Sequence, residues 1–210
     1  MFRRTRTFET FSKENCHVKG LHSLVLRPGN RMIRMYIAEP GIELNFDLFK
    51  PTIAYHCHQY NIHIECLDGV LMNHVLKVGK GKFSKMIQGW NFSSQLNGEN
   101  GSMFEKSGVS KSILSCTSDK LEDGHVYEGN SSEYHTVSIP KQRGFVSWLV
   151  RESAPTHGYD STVYSNADLS SLNADGLYQS MSKNRYMELL ELAESNMTNG
   201  SISRLRSFLI

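Results

Sequence analysis

The stretch Thr52–Ile53–Ala54–Tyr55–His56–Cys57–His58, followed by Asn61–Ile62–His63–Ile64–Glu65–Cys66–Leu67–Asp68–Gly69, decides how this chain is read. Each half is a short apolar run and reads as a strand, with Gln59–Tyr60 at the bend between them and Asp68–Gly69 as the closing turn. Side chains of a strand alternate between its faces, so His56 and His58 share one face and Cys57 takes the other, as a packed thiol. Two imidazoles placed in this way can reach one metal ion. In the second strand Ile62, Ile64 and Cys66 share a face. If that apolar face points inward, His63 and Glu65 point away from such an ion.

Working outward, strand signals continue on both sides. Arg31–Ile37 alternates Ile33, Met35 and Ile37 against Arg34 and Tyr36 and ends at the turn Glu39–Pro40–Gly41. Val70–Val78 follows the Asp68–Gly69 turn, and Gly79–Lys80–Gly81 leads into a strand over Phe83–Trp90. Residues Asn91–Lys111 are polar and rich in Gly, Ser and Asn, and are expected to form a long loop or insertion. Strands resume at Ser112–Cys116, His135–Ile139 and Phe145–Arg151, the last two joined by the hairpin-length Pro140–Gly144. Many short strands at close spacing predict an all-β sandwich or barrel.

Beyond Pro155 the character changes. His157–Asp175 reads as a linker. Ser182 is placed to N-cap a helix over Lys183–Ser195, in which Tyr186, Leu189, Leu190 and Ala193 form one apolar stripe. Asn199–Gly200 is expected to end that helix, and Arg204–Ile210 to form a further short turn. The expected organisation is a barrel with an N-terminal arm over residues 1–155. A linker and a C-terminal helical segment packed on the barrel occupy residues 156–210.

Composition narrows the function classes. Hydrophobic residues at 39% suffice for a core and exclude a disordered chain. Lys+Arg 23 against Asp+Glu 21 leaves a net charge of +2, too slight for a phosphate-binding footprint, so no nucleic-acid partner is expected. Arg3, Arg4 and Arg6 read as a solvated arm. No apolar run is long enough to span a membrane and no apolar leader opens the chain, so a cytoplasmic protein without a membrane partner is expected. Cys16, Cys57, Cys66 and Cys116 form no CxxC pair and read as reduced thiols. Gly79–Lys80–Gly81–Lys82 lacks the spacing of a phosphate loop, and no GxSxG marks a hydrolase nucleophile.

The His56–x–His58 pair, the strand closing at Gly69, and Gly129–Asn130–Ser131–Ser132–Glu133–Tyr134–His135 leading into Thr136–Ile139 resemble the two motifs of the cupin superfamily. The resemblance spans roughly residues 30 to 152. It implies a cupin-like double-stranded β-helix, a jelly-roll barrel, with His56, His58 and His135 as metal ligands and His125 as the alternative third ligand. The motif's Glu would fall near Ile62 or His63, and neither is a carboxylate. A three-His set looks like the cysteine dioxygenase branch, in which three His hold Fe(II) and leave positions for a thiol and dioxygen. That branch places an Arg on an early strand to pair the substrate carboxylate, and Arg34, ahead of Arg31, matches it. Its Ser-His-Tyr outer set is not reproduced over Phe145–Arg151, where Leu149 and Arg151 follow Ser147 at alternate positions.

Three neutral imidazoles suit several divalent ions and leave the full +2 charge to attract an anion. The resemblance therefore implies a metal-dependent cupin enzyme, an Fe(II) dioxygenase acting on a small anionic substrate such as a thiol or keto acid. Arg34 would orient a substrate carboxylate. Ni, Mn and Zn fit the same ligands. The partners expected are that substrate, dioxygen, and a second copy of the chain in the homodimer that cupins form through their sheets. Two alternatives stay open. One is a non-catalytic barrel that binds a small molecule or a protein partner; the other is an isomerase or decarboxylase on the same site.

Overall fold

The computed structural model describes residues 11–81, 85–92, 103–141, 144–154, 162–172 and 176–209. In chain order the strands are β1 (Lys13–Glu14), β2 (Leu21–Arg27), β3 (Ile33–Ala38), β4 (Ile62–Asp68), β5 (Leu71–Gly79), β6 (Met86–Phe92), β7 (Phe104–Leu121), β8 (Val126–Gly129), β9 (Tyr134–Ser138), β10 (Val146–Glu152), β11 (Thr162–Tyr164) and β12 (Gln179–Ser180). Two helices follow, α1 (Lys183–Asn196) and α2 (Asn199–Leu209).

The strands form two sheets, one of seven strands in the order β12-β1-β2-β3-β10-β4-β8 and one of five in the order β11-β6-β7-β5-β9. The chain crosses between sheets at Gly69, whose φ of +78° suits glycine. From β7 to β12 every successive strand lies in the opposite sheet. That alternation is the winding of a jelly roll, so the chain folds as the expected all-β, cupin-like double-stranded β-helix with a C-terminal helical segment. Tyr55 pairs with Tyr164 of β11, and His56 with His135 of β9. The segment carrying both residues thus bridges the two edge strands of the smaller sheet.

Two of the four apolar clusters among the described residues set the layers. The inner one, between the sheets, includes Leu21, Ile53, Ile62, Ile64, Trp148 and Val150. The outer one lies between the larger sheet and the helices, where Leu24, Leu26, Ile33, Met35 and Ile37 meet Tyr186, Leu189, Leu190, Ala193 and Leu205. β3 serves both. Its apolar set Ile33, Met35 and Ile37 is covered by the helices, which leaves Arg34 and Tyr36 facing the barrel interior.

Helix α1 forms where the sequence places it. The Ser182 hydroxyl accepts a hydrogen bond from the Arg185 N–H at 3.2 Å, and the predicted stripe is the buried face. The Tyr186 hydroxyl donates to the Val25 carbonyl at 3.2 Å, pinning the helix to β2.

Several expectations are corrected. Asn199–Gly200 opens α2 instead of only ending α1, because Thr198 Oγ1 accepts from the Ser201 N–H at 3.2 Å and caps a new first turn. Arg204 on that helix reaches Glu65 at 2.8 Å and Asp123 at 2.7 Å, so the helix docks through charge as well as through Leu205. The loop expected over Asn91–Lys111 gives way, from Phe104 onward, to the 18-residue β7. One half of β7 pairs with β6 and the other with β5, and it is mostly solvent-exposed, so it shows no apolar alternation. The described part of the expected linker contains β11 and a short helical turn at Leu169–Ser171. The strand read over Thr52–His58 reduces to the bridging residues Tyr55 and His56. Arg3, Arg4 and Arg6 lie outside the described residues. No helix among those described is long and apolar enough to cross a membrane.

Leu189 is wholly buried between the helix and the sheet. Leu189→Ala removes its contacts and leaves a cavity, and is expected to lower the unfolding free energy in urea by about 3 kcal/mol. Leu209→Ala, at a 40% exposed position, is expected to change it by less than about 0.5 kcal/mol.

Candidate metal centre

His56 and His135 exchange both backbone hydrogen bonds, N–H to C=O, at 2.9 and 2.8 Å. Residues paired directly across antiparallel strands send their side chains to the same face, so both imidazoles enter the barrel together. His58, two residues along, joins them. The ligating nitrogens of His56, His58 and His135 all lie within 4.8 Å of one another. The Nε2 atoms of His58 and His135 stand 3.0 Å apart. Two nitrogens each bound at about 2.1 Å to one ion, at right angles, would be separated by about 3.0 Å.

The other ring nitrogens set the tautomers. His56 Nδ1 donates to the Ala54 carbonyl at 3.0 Å, and His135 Nδ1 donates to Asn73 Oδ1 at 2.8 Å. Each bond fixes its ring and leaves the Nε2 lone pair for an ion. Burial pushes the His135 pKa well below the ordinary value, with His56 and His58 adding to the effect. The same causes lower His58 to about 3, with burial first and then His56 and His17, and burial lowers His56. All three rings are therefore neutral at pH 7. The chemistry of the set fits a divalent metal: converging lone pairs, no competing protons, and rings already oriented.

The triad borders a cavity of about 50 Å³. Its walls include Tyr36 and Trp148, stacked at 5.3 Å between ring centres, and Tyr60, stacked on His58 at 5.1 Å. Glu152 also lines it, together with the apolar Ile62, Ile64, Val137 and Val150. A larger hollow of about 530 Å³ is open to the surface and shares only Ile62 and Glu152 with this cavity.

The other residues singled out by the sequence fall as follows. His125 is exposed, with Nδ1 accepting from the Glu122 N–H at 3.3 Å, so His135 is the third member of the triad. His63 and Glu65 face away, His63 toward Glu128 and Glu65 toward Arg204. Arg31 is exposed. Arg34 faces the interior, but its Nε donates to Glu152 Oε1 at 3.2 Å. Its guanidinium is thus held by a carboxylate of the protein.

Sequence reading missed His17. This half-buried residue stacks on His56 at 5.9 Å, and its Nδ1 is 2.8 Å from the Tyr178 hydroxyl. Burial, with His56 contributing, lowers its pKa to about 3. Among the described residues the positive-φ positions that are not glycine are Asn15 (54°), His17 (65°) and Tyr178 (51°). All belong to this pair or its loop, so backbone strain is concentrated next to the triad. Cys16–His17–Val18–Lys19–Gly20 carries no motif that would have marked it. A His–Tyr pair does adjoin the triad, but it comes from the two ends of the chain and not from β10.

No protein-family model and no curated protein matches the chain. Among solved structures it is similar to the Drosophila melanogaster CENP-C cupin domain, at 10% identity and a TM-score of 0.39 over 66% of this chain and 73% of that one. It is similar to the hydroxypropylphosphonic acid epoxidase of S. wedmorenis at 10% identity and a TM-score of 0.38, over 68% of this chain and 55% of that one. A third similar structure is the Lactobacillus farciminis oxalate decarboxylase formate complex, at 11% identity and a TM-score of 0.38 over 74% of this chain and 34% of that one. None is similar enough to carry a residue's role across.

Asn73→Ala frees the His135 ring, and divalent-metal affinity measured by chelator competition is expected to fall about 10- to 100-fold in a folded protein. A buried imidazole whose pKa is lowered by folding binds its proton in the unfolded chain first. Each therefore favours unfolding as pH falls below about 6.5, down to its folded pKa. Urea titrations of the metal-free protein from pH 7 to pH 5 should show stability falling by up to about 1.4 kcal/mol per pH unit for each such histidine. Saturating divalent metal should raise the stability at every pH in that range and leave the slope as it is, because the folded rings carry no proton for the metal to displace.

Proposed function

We propose that the chain is a metal-dependent enzyme of cupin type. His56, His58 and His135 hold a divalent ion, with Fe(II) ahead of Ni, Mn or Zn, and a small anionic substrate is oxidised with dioxygen. The single observation that supports this most is the pair of anchors, the Ala54 carbonyl and Asn73 Oδ1, which commit two rings to presenting Nε2 inward. A merely packed histidine such as His74 has both ring nitrogens taken up by hydroxyls, whereas the ligating nitrogens of the triad converge within 4.8 Å of one another. The ion, when bound, supplies Lewis acidity toward an anionic group and, as Fe(II), the electrons for dioxygen chemistry.

The protein's own part is binding and exclusion. Tyr60 lies against His58 and limits its rotation. Tyr36 and Trp148 form an aromatic wall of low polarity, beside which charge interactions are stronger than in bulk water. His17 covers His56 from the side of the N-terminal loop.

A second reading is a non-catalytic barrel that binds a small molecule or a protein partner. The large open hollow, separate from the triad, favours it. Oxygen uptake distinguishes the two.

Metal analysis of wild-type protein beside the His56→Ala/His58→Ala variant tests the proposal, after anaerobic reconstitution with Fe(II). The expected result is about one iron per chain in the wild type, little in a variant that still folds, and oxygen uptake with a thiol or keto acid by the iron-loaded form alone. Absence of stoichiometric metal would overturn the metal-enzyme reading. Metal without oxygen uptake across that substrate panel would favour the binding barrel.

A further inference from the structure

The inward face of β10 carries Trp148, Val150 and then Glu152. The Glu152 side chain is only 9% exposed. Its carboxylate accepts hydrogen bonds from Arg34 Nε, at 3.2 Å, and from the Tyr60 hydroxyl. Burying an ion pair costs several kcal/mol per ion before its attraction is counted, and apolar side chains of similar volume often serve stability as well or better. Stability is therefore a weak reason for this pair, and its placement offers a stronger one. Of the two charges, Glu152 lines the triad's cavity, while Arg34 stands behind it on β3. Glu152 also borders the large open hollow outside, so it stands at the boundary between the two.

We infer that Glu152 selects the far end of whatever the triad's metal binds: the site takes a small ligand ending in an ammonium or hydroxyl group and rejects one ending in a carboxylate. This inference rests on the metal reading above. An ammonium or hydroxyl donates to the carboxylate, whereas a second carboxylate meets like charge where solvent does little to screen it. The Tyr36 and Trp148 rings add a surface that favours a cation. Arg34 acts as a positioning residue that fixes the Glu152 carboxylate and opposes the upward push of burial on its pKa. The ligand's metal-binding end remains anionic, and its other end is a donor.

The test uses protein loaded with Co(II) and three probes that share a thiol and differ at the far end: 2-aminoethanethiol, 2-mercaptoethanol and 3-mercaptopropionate. Sulfur-to-cobalt charge-transfer absorption reports binding. In the wild type the amino and hydroxy thiols are expected to bind at least tenfold more tightly than the carboxylate. Glu152→Gln frees the Arg34 guanidinium, so 3-mercaptopropionate should bind at least tenfold more tightly than to the wild type while 2-aminoethanethiol weakens. The Arg34→Met/Glu152→Gln pair removes both charges and should level the three. The wild-type ranking stands as a test even if a variant fails to fold. Co(II) bound at one equivalent, with a preference for the carboxylate, no ranking or no thiol binding, overturns this inference alone. Failure to take up Co(II) overturns it together with the metal reading.

Discussion

The reciprocal backbone pair between His56 and His135 is the constraint on which the site depends. Those two hydrogen bonds, at 2.9 and 2.8 Å, fix the register of a segment that has little other strand structure. Shifting that register by one residue would turn His135 toward the opposite face, where Tyr134 packs on Tyr164. The pair does not act alone. The Thr136 hydroxyl donates to the Ile53 carbonyl at 2.6 Å, and Tyr55 is paired with Tyr164 on the other side. The segment is thus clamped between two edge strands, and the position of His58 follows from that of His56.

The cavity gathers features that do not favour folding. Its imidazoles are held neutral by full burial at His135 and partial burial at His56 and His58, which acid penalises. Asn15, His17 and Tyr178 hold left-handed backbone at about 1 to 3 kcal/mol each. The Glu152 carboxylate is drawn almost wholly out of water against a partly exposed Arg34. The outer core offsets this from a distance. With Leu189 and Leu205 wholly buried against the larger sheet, the helices stabilise the strands that carry Arg34, Tyr36 and Trp148 without touching the cavity. The helical layer therefore supports a barrel whose mainly apolar interior also holds these polar groups.

What the sequence made legible was local. The HxH pair and His135 could be read because period-two alternation puts chemistry-bearing side chains on one face. The stripe from Tyr186 to Ala193 could be read because it lies on an ordinary capped helix. Long-range pairing hid the rest. β7 is polar on both faces, β11 and β12 are too short to show a period, and Asn199–Gly200 reads as a stop until Thr198 is seen to cap. Alternation alone does not say which face of β3 meets the barrel; the helices claim the apolar set, and that is why Arg34 and Tyr36 reach the interior. The partnership of Arg34 with Glu152 spans 118 positions, and that of His17 with Tyr178 spans 161, so no local pattern announces either.

The most direct test of the central claim is X-ray absorption spectroscopy of the protein loaded with one equivalent of Zn(II) or Fe(II). A three-histidine centre predicts imidazole scattering that fits three rings, with nitrogen and oxygen neighbours at about 2.0 to 2.1 Å for zinc, and loss of one ring in His135→Ala. A spectrum fitted by no more than one imidazole, or by sulfur at about 2.3 Å from a cysteine, would contradict it.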